Sequence, residues 1–196
     1  MKLKIASLAL LFIAAAATAF KAPSFKGDTY KVDVQKSSIT WTGKKFAGSH
    51  NGTIDLKSGS LGFNGKKLAE GNFTIDMTSL KDADKSANLE NHLKSDDFFG
   101  SSKFPTSTFV IKKVTGGSGN TVNVSGDLTI KGVTQAISFP ATLAWNGNTV
   151  TATADKIVVD RTKYGIKFKS KTVFTDIGDK FIYDEFELSV KLTATK

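Results

Sequence analysis

The chain has 196 residues, 27 Lys and Arg against 18 Asp and Glu, a formal net charge of +9, and no cysteine. Without cysteine there is no disulfide, no thiol catalysis and no thiolate metal site. The basic balance suits an exported soluble domain or contact with acidic partners, and no recognisable nucleic-acid module accompanies it, so nucleic acid is set aside.

The first residues combine Lys2 and Lys4, an apolar run over 5–17, and Ala17-Thr18-Ala19 in small-x-small form. That is the pattern of a secretory signal with an apolar core too short for a comfortable membrane span. Cleavage after Ala19 is expected, leaving one domain over 20–196 that is periplasmic or secreted; the competing reading is a retained N-terminal anchor. Loss of Lys2 and Lys4 lowers the excess of nine basic charges by two.

Phe20–Asp28 reads as a leader broken by Pro23 and Gly27. Tyr30, Val32 and Val34 alternate with Lys31 and Asp33, and Ile39 and Trp41 with Ser38, Thr40 and Thr42, giving two strands. Asn51-Gly52 and Asn64-Gly65 are hairpin signals on either side of 54–63. Phe73, Ile75 and Met77 then share one face. Asp82–Gly100 breaks the alternation: Leu89 and Leu93 stand four apart among polar residues, as on a short amphipathic helix, followed by Phe98-Phe99-Gly100. Its length suits a cap over one end of a barrel better than a crossover between parallel strands.

Phe109 and Ile111 restart the sheet, and G-G-S-G-N at 116–120 is a turn. Val124, Leu128 and Ile130, the K-G-V-T turn, then Ile137, Phe139, Ala141, Leu143 and Trp145 form a hairpin. Asn146-Gly147 leads into Val150, Ala152 and Ala154, whose small inward side chains leave interior room or admit a larger neighbour. Val159–Phe174 alternates Tyr164, Ile166 and Phe168 with Lys163, Lys167, Lys169 and Lys171, and Phe186–Leu192 closes the chain. The fold class is therefore all-β, a closed antiparallel up-and-down barrel of about eight strands with a short capping helix, because closure removes the exposed edges of such a meander.

No catalytic constellation is visible. The two histidines, His50 and His92, fall on an expected turn and on the helix, and the spacing brings neither a nucleophile nor an acid to either. No metal-ligand spacing is present, so neither a metal nor another cofactor is expected. The interior is left open between a filled core and room for one apolar ligand. By alternation, Trp41, Phe73, Ile75, Met77, Phe109, Ile111, Phe139, Tyr164 and Phe168 are the candidates for its lining.

The pieces S-S-I-T-W-T-G-K-K at 37–45, G-N-F-T-I-D-M-T-S-L at 71–80, N-H-L-K-S-D-D-F-F at 91–99, V-S-G-D-L-T-I-K-G-V-T at 124–134 and D-R-T-K-Y-G-I at 160–166, in that order, resemble the YceI-like proteins, an exported lipocalin-fold family associated with polyisoprenoid binding. The resemblance implies a carrier, store or sequestering protein for a long-chain apolar lipid, such as a quinone or polyprenyl compound. It places His92, Phe98 and Phe99 at a mouth or cap. The run K-F-K-S-K at 167–171 departs from the family's glycine-rich, sparsely charged segment, so Lys163, Lys167, Lys169 and Lys171 are candidates for contact with an anionic membrane surface. The alternative is a non-catalytic stress-protective or interaction barrel with a filled core, acting through its basic surface.

Overall fold

The computed structural model describes residues 25–116 and 120–196, so the expected signal segment lies outside the described residues. Nine strands and one α-helix follow in order: β1 (Asp28–Val32), β2 (Ser38–Lys45), β3 (Gly48–Asn64), β4 (Lys67–Asp82), α1 (Ala87–Lys94), β5 (Thr106–Gly116), β6 (Thr121–Ile130), β7 (Val133–Asn146), β8 (Thr149–Asp160) and β9 (Ile182–Thr195). Every pairing between strands is antiparallel, in the order β1-β3-β2-β9-β8-β7-β6-β5-β4, and β3–β4 contacts close the ring. The result is an eight-strand barrel with one extra strand.

That extra strand fills a gap. β2 pairs with the first part of β3 and the first part of β9, from Ile39↔Ile54 and Ser38↔Lys191 upward. β1 pairs with the remainder of both, through Tyr30↔Leu61 and Val32↔Ala194. β1 and β2 thus run in one direction as two halves of a single staved position. The break between them is bonded rather than open: Asp33 N–H donates to the Thr193 carbonyl at 2.8 Å, and Ser37 Oγ accepts from Thr193 N–H at 3.1 Å. The long strands bend where register shifts occur, at three points along β3–β4 and between Ala154 and Ile157 of β8.

The turns alternate between two ends. β3–β4 and β7–β8 turn at one end through Gly65 (φ 61°) and Gly147 (φ 57°), as the Asn-Gly pairs predict. Asn51-Gly52 does not turn. Both residues lie inside β3, opposite Thr42 and Trp41, and a Cβ at Gly52 would run into the Lys81 carbonyl and the Trp41 ring. The glycine permits close approach: Trp41 Nε1–H donates to Lys81 O across it at 3.1 Å.

The first end is floored by aromatic rings. Tyr30, Phe63 and Trp145 meet edge to face, with centroids 4.9–5.5 Å apart. The other end is covered by α1. Ser86 caps it, its Oγ accepting from Leu89 N–H, and Leu89 and Leu93 face the barrel.

Candidate functional site

Inside the barrel is a cavity of about 360 Å³. Its wall is almost wholly apolar, with Ile39, Leu56, Val124 and Leu143 at depth, and its polar side chains include His50, Arg161 and Glu185 at the helix end. The volume arises where β7 and β8 carry Ala141, Ala152 and Ala154, all buried and all on the lining. The interior is therefore hollow, which resolves the choice that alternation alone leaves open.

Of the expected lining residues, Trp41, Phe73, Ile75, Met77, Phe109, Ile111 and Phe139 border the cavity. Phe109 forms part of an aromatic series, stacked on Phe73 at 6.3 Å and tilted against Phe139 at 5.5 Å. Tyr164 and Phe168 lie elsewhere. β8 ends at Asp160, whose side chain accepts from Thr162 N–H and starts a 3₁₀ turn over Arg161–Tyr164, so the expected strand over 159–174 does not continue. Tyr164 is buried under this turn; burial, with Asp160 nearby, pushes its phenol up to about 12, and its hydroxyl has no hydrogen-bond partner among the described residues.

Phe168 packs over the capped end instead. His92 meets it edge-on at 4.7 Å and meets Phe98 at 5.0 Å, while His92 Nε2 lies 3.2 Å from Asp97 Oδ2. His92 stands in this cap outside the lining, whereas Phe98 and Phe99 reach the cavity, as do Leu89 and Leu93 of α1. Lys163, Lys167, Lys169 and Lys171 are all exposed, but on turns rather than on one strand face.

Sequence periodicity did not single out Arg161, the buried cation of the site. Its Nε, Nη1 and Nη2 donate to the carbonyls of Tyr183, Ile166 and Ile182 at 3.0–3.1 Å, and Nη2 faces Asp184 Oδ1 at 3.5 Å. Burial pulls its pKa down, opposed by Asp184 and Asp160. The guanidinium stitches the 161–166 turn to the start of β9 and stands 5.9 Å from the Phe98 ring at the cavity's edge.

The expectation that no acid neighbours a histidine is corrected twice. Besides Asp97 at His92, the β3–β4 pairing carries Asp82 to His50, with Oδ1 3.9 Å from Nδ1. Both contacts depend on tertiary placement, which linear spacing does not carry.

A closed antiparallel barrel, an interrupted first stave, a helix over one end and an apolar interior together define a recognisable architecture. The YceI-like domain model matches residues 30–194. The chain belongs to the YceI-like family. Curated relatives include UPF0312 proteins of Staphylococcus aureus (strain MRSA252), 40% identical over 85 residues (40% of this chain, 47% of theirs), and of Vibrio parahaemolyticus, 33% identical over 99 residues (50% and 51%). The chain spans about half the length of the curated relatives it matches. Among solved structures, Burkholderia cenocepacia BcnA is similar with a TM-score of 0.72 at 27% identity, covering 84% of this chain and 99% of that one. A structure described as a polyisoprenoid binding domain from Saccharophagus degradans shares the fold, with a TM-score of 0.65 at 16% identity and coverage of 85% and 97%. In this YceI-like chain the cap and Arg161 share one end of the cavity.

Proposed function

We propose that this protein is a binding protein, not an enzyme, which holds a long-chain isoprenoid-type lipid, such as a quinone or polyprenyl compound, for transport, storage or sequestration. The observation that carries the reading is the apolar cavity of about 360 Å³, inside a barrel floored at one end by rings and capped at the other by a helix. Transfer of each methylene into such a wall is worth about 0.8 kcal/mol before ordering costs. The polyisoprenoid-binding description of the S. degradans neighbour supports the ligand class. Trp41, Phe73, Ile75, Met77, Phe109, Ile111 and Phe139 are the contact residues in this reading, with Phe98 and Phe99 at the mouth. Open volume in the interior supports this reading over the filled-barrel alternative.

The protein is exported in this reading, and it visits an anionic membrane surface with its capped end. Lys167, Lys169 and Lys171 are exposed there beside largely exposed Phe46, Phe174 and Tyr183. Such lysines attract anionic lipid by about 1 kcal/mol each.

Organic extraction and mass spectrometry of protein purified from its native host test the ligand. One long-chain lipid per chain is expected; an apo protein that takes up no quinone or polyprenol on incubation overturns the reading. Sedimentation with anionic liposomes tests the surface, where Lys167→Glu with Lys169→Glu is expected to reduce binding and an unchanged bound fraction counts against docking.

A further inference from the structure

His50 and Asp82 face each other beneath the cap with no bond to join them. His50 Nδ1 and Asp82 Oδ1 are 3.9 Å apart, outside hydrogen-bond reach, and both atoms are buried without a partner among the described residues. The Asp82 side chain is only 1% exposed. Its other oxygen is committed, accepting from Ser86 N–H at 3.1 Å, so Oδ1 is fixed towards the imidazole. The neighbouring cation does not neutralise it, because Lys81 Nζ is bound by Glu90 Oε2 at 3.0 Å, while Glu90 Oε1 accepts from Asp82 N–H.

A third donor arrives from the turn that leads into α1. One ligand atom each from His50, Asp82 and Asp84 lies within 4.8 Å of the other two. The turn is fixed by Ala83 N–H donating to Asn51 O at 2.9 Å and Lys85 N–H donating to Asp82 O at 3.1 Å. Asp84 itself is exposed.

We infer that His50, Asp82 and Asp84 form a binding site for one first-row divalent cation of the zinc type. An imidazole with two carboxylates is a borderline nitrogen and oxygen donor set, which suits Zn²⁺ better than the all-oxygen shells of Ca²⁺ or Mg²⁺. Ligand distances of about 2.0–2.1 Å place tetrahedral donors about 3.3 Å apart, which rotation of Asp84 and a small approach of His50 supply. Water completes the shell on the exposed side. A bound cation satisfies the orphaned Oδ1 and joins β3 to the root of the capping helix, beside a histidine that also borders the cavity.

The test is titration of the chelator-stripped protein with ZnCl₂, followed by calorimetry and native mass spectrometry, for the unaltered chain, His50→Ala and Asp84→Asn. Circular dichroism checks that each variant is folded; Asp84, on the surface, serves as the variant least able to disturb the fold. One Zn²⁺ per chain is expected, with each variant weaker by at least the ~10-fold that loss of even an outer-shell partner costs. Co²⁺ in place of Zn²⁺ is expected to give ligand-field bands that change in His50→Ala. Absence of a one-equivalent site overturns the inference. Equal affinity in all three proteins also overturns it, by placing the bound metal elsewhere.

Discussion

The ring of Phe63 stands edge-on to Trp145, centroids 4.9 Å apart and planes at 70°, at the end of the barrel away from α1. Phe63 is fully buried. This contact seals the interior where four strands converge on two turns, so it serves both stability and enclosure. Phe63→Ala is expected to destabilise the fold by about 3–5 kcal/mol. The shift of the urea midpoint at unchanged slope measures it.

Ala154 decides how much of the interior stays open. It is buried on β8, borders the cavity, and pairs with Val190 of β9. Ala154→Trp fills the space where the ligand chain would lie. Displacing even two buried methylenes, at about 0.8 kcal/mol each, weakens binding roughly tenfold. A tryptophan variant that folds normally and still takes up quinone or polyprenol at full affinity would show that the ligand lies elsewhere.

Arg161 depends on its shape as much as its charge. Three carbonyls, on Tyr183, Ile166 and Ile182, accept from three different guanidinium nitrogens. A lysine ammonium cannot reach all three from one point. Arg161→Lys is expected to lose about 3 kcal/mol, the worth of one to two charged hydrogen bonds. Thermal unfolding reads this directly, and a melting temperature matching the unaltered protein would mean that the fork is dispensable.

Asp184 gives the fold an acid limb. Burial pushes its carboxyl up, but the nearby Ser170 and Thr172 hydroxyls, with the Arg161 charge, outweigh it and hold the pKa below the ordinary value. Thr172 Oγ1 donates to Oδ2 at 2.6 Å. A carboxyl that is more acidic folded than unfolded stabilises the native state fully above about pH 4, and that contribution is lost as pH falls through the lowered folded value. Urea midpoints between about pH 6 and about pH 2 should therefore fall more steeply for the unaltered chain than for Asp184→Asn. Parallel curves would assign the acid limb to other groups.

The barrel was legible because its strands keep one apolar face: Ile39 and Trp41, Phe73 to Met77, and Val124, Leu128 and Ile130 carry the period-two pattern. Leu89 and Leu93 likewise announced the helix. Two signals misled. Asn51-Gly52 looks like a turn because Asn-Gly usually is one, yet here the glycine makes room for the Trp41 indole and the Lys81 carbonyl. From Arg161 to Lys171 the lysines are exposed and Tyr164 and Ile166 buried, as on a strand, but the Asp160 cap and left-handed Gly165 fold that alternation into turns. Alternation reports which side of the chain is wet, not what the backbone does. The partnership of His50 with Asp82 depends on the β3–β4 register, which the sequence does not display.

The seam where β9 meets β1 and β2 joins the two most distant parts of the barrel, Lys31 opposite Thr195 and Ser38 opposite Lys191. The other walls join strands closer in the chain, the longest links between successive strands being 83–105 with α1 and 161–181, whereas this one must close nearly the whole chain, at the largest loop-closure cost. With that seam open, the remaining strands would make a curved trough with its apolar face exposed to water. On the proposed reading, a lipid lying in such a trough would be enclosed as the seam closes, with no passage beneath the helix. Loading during folding and exchange by the finished barrel are then distinct events, with separate rates, and only the second requires the cap to move.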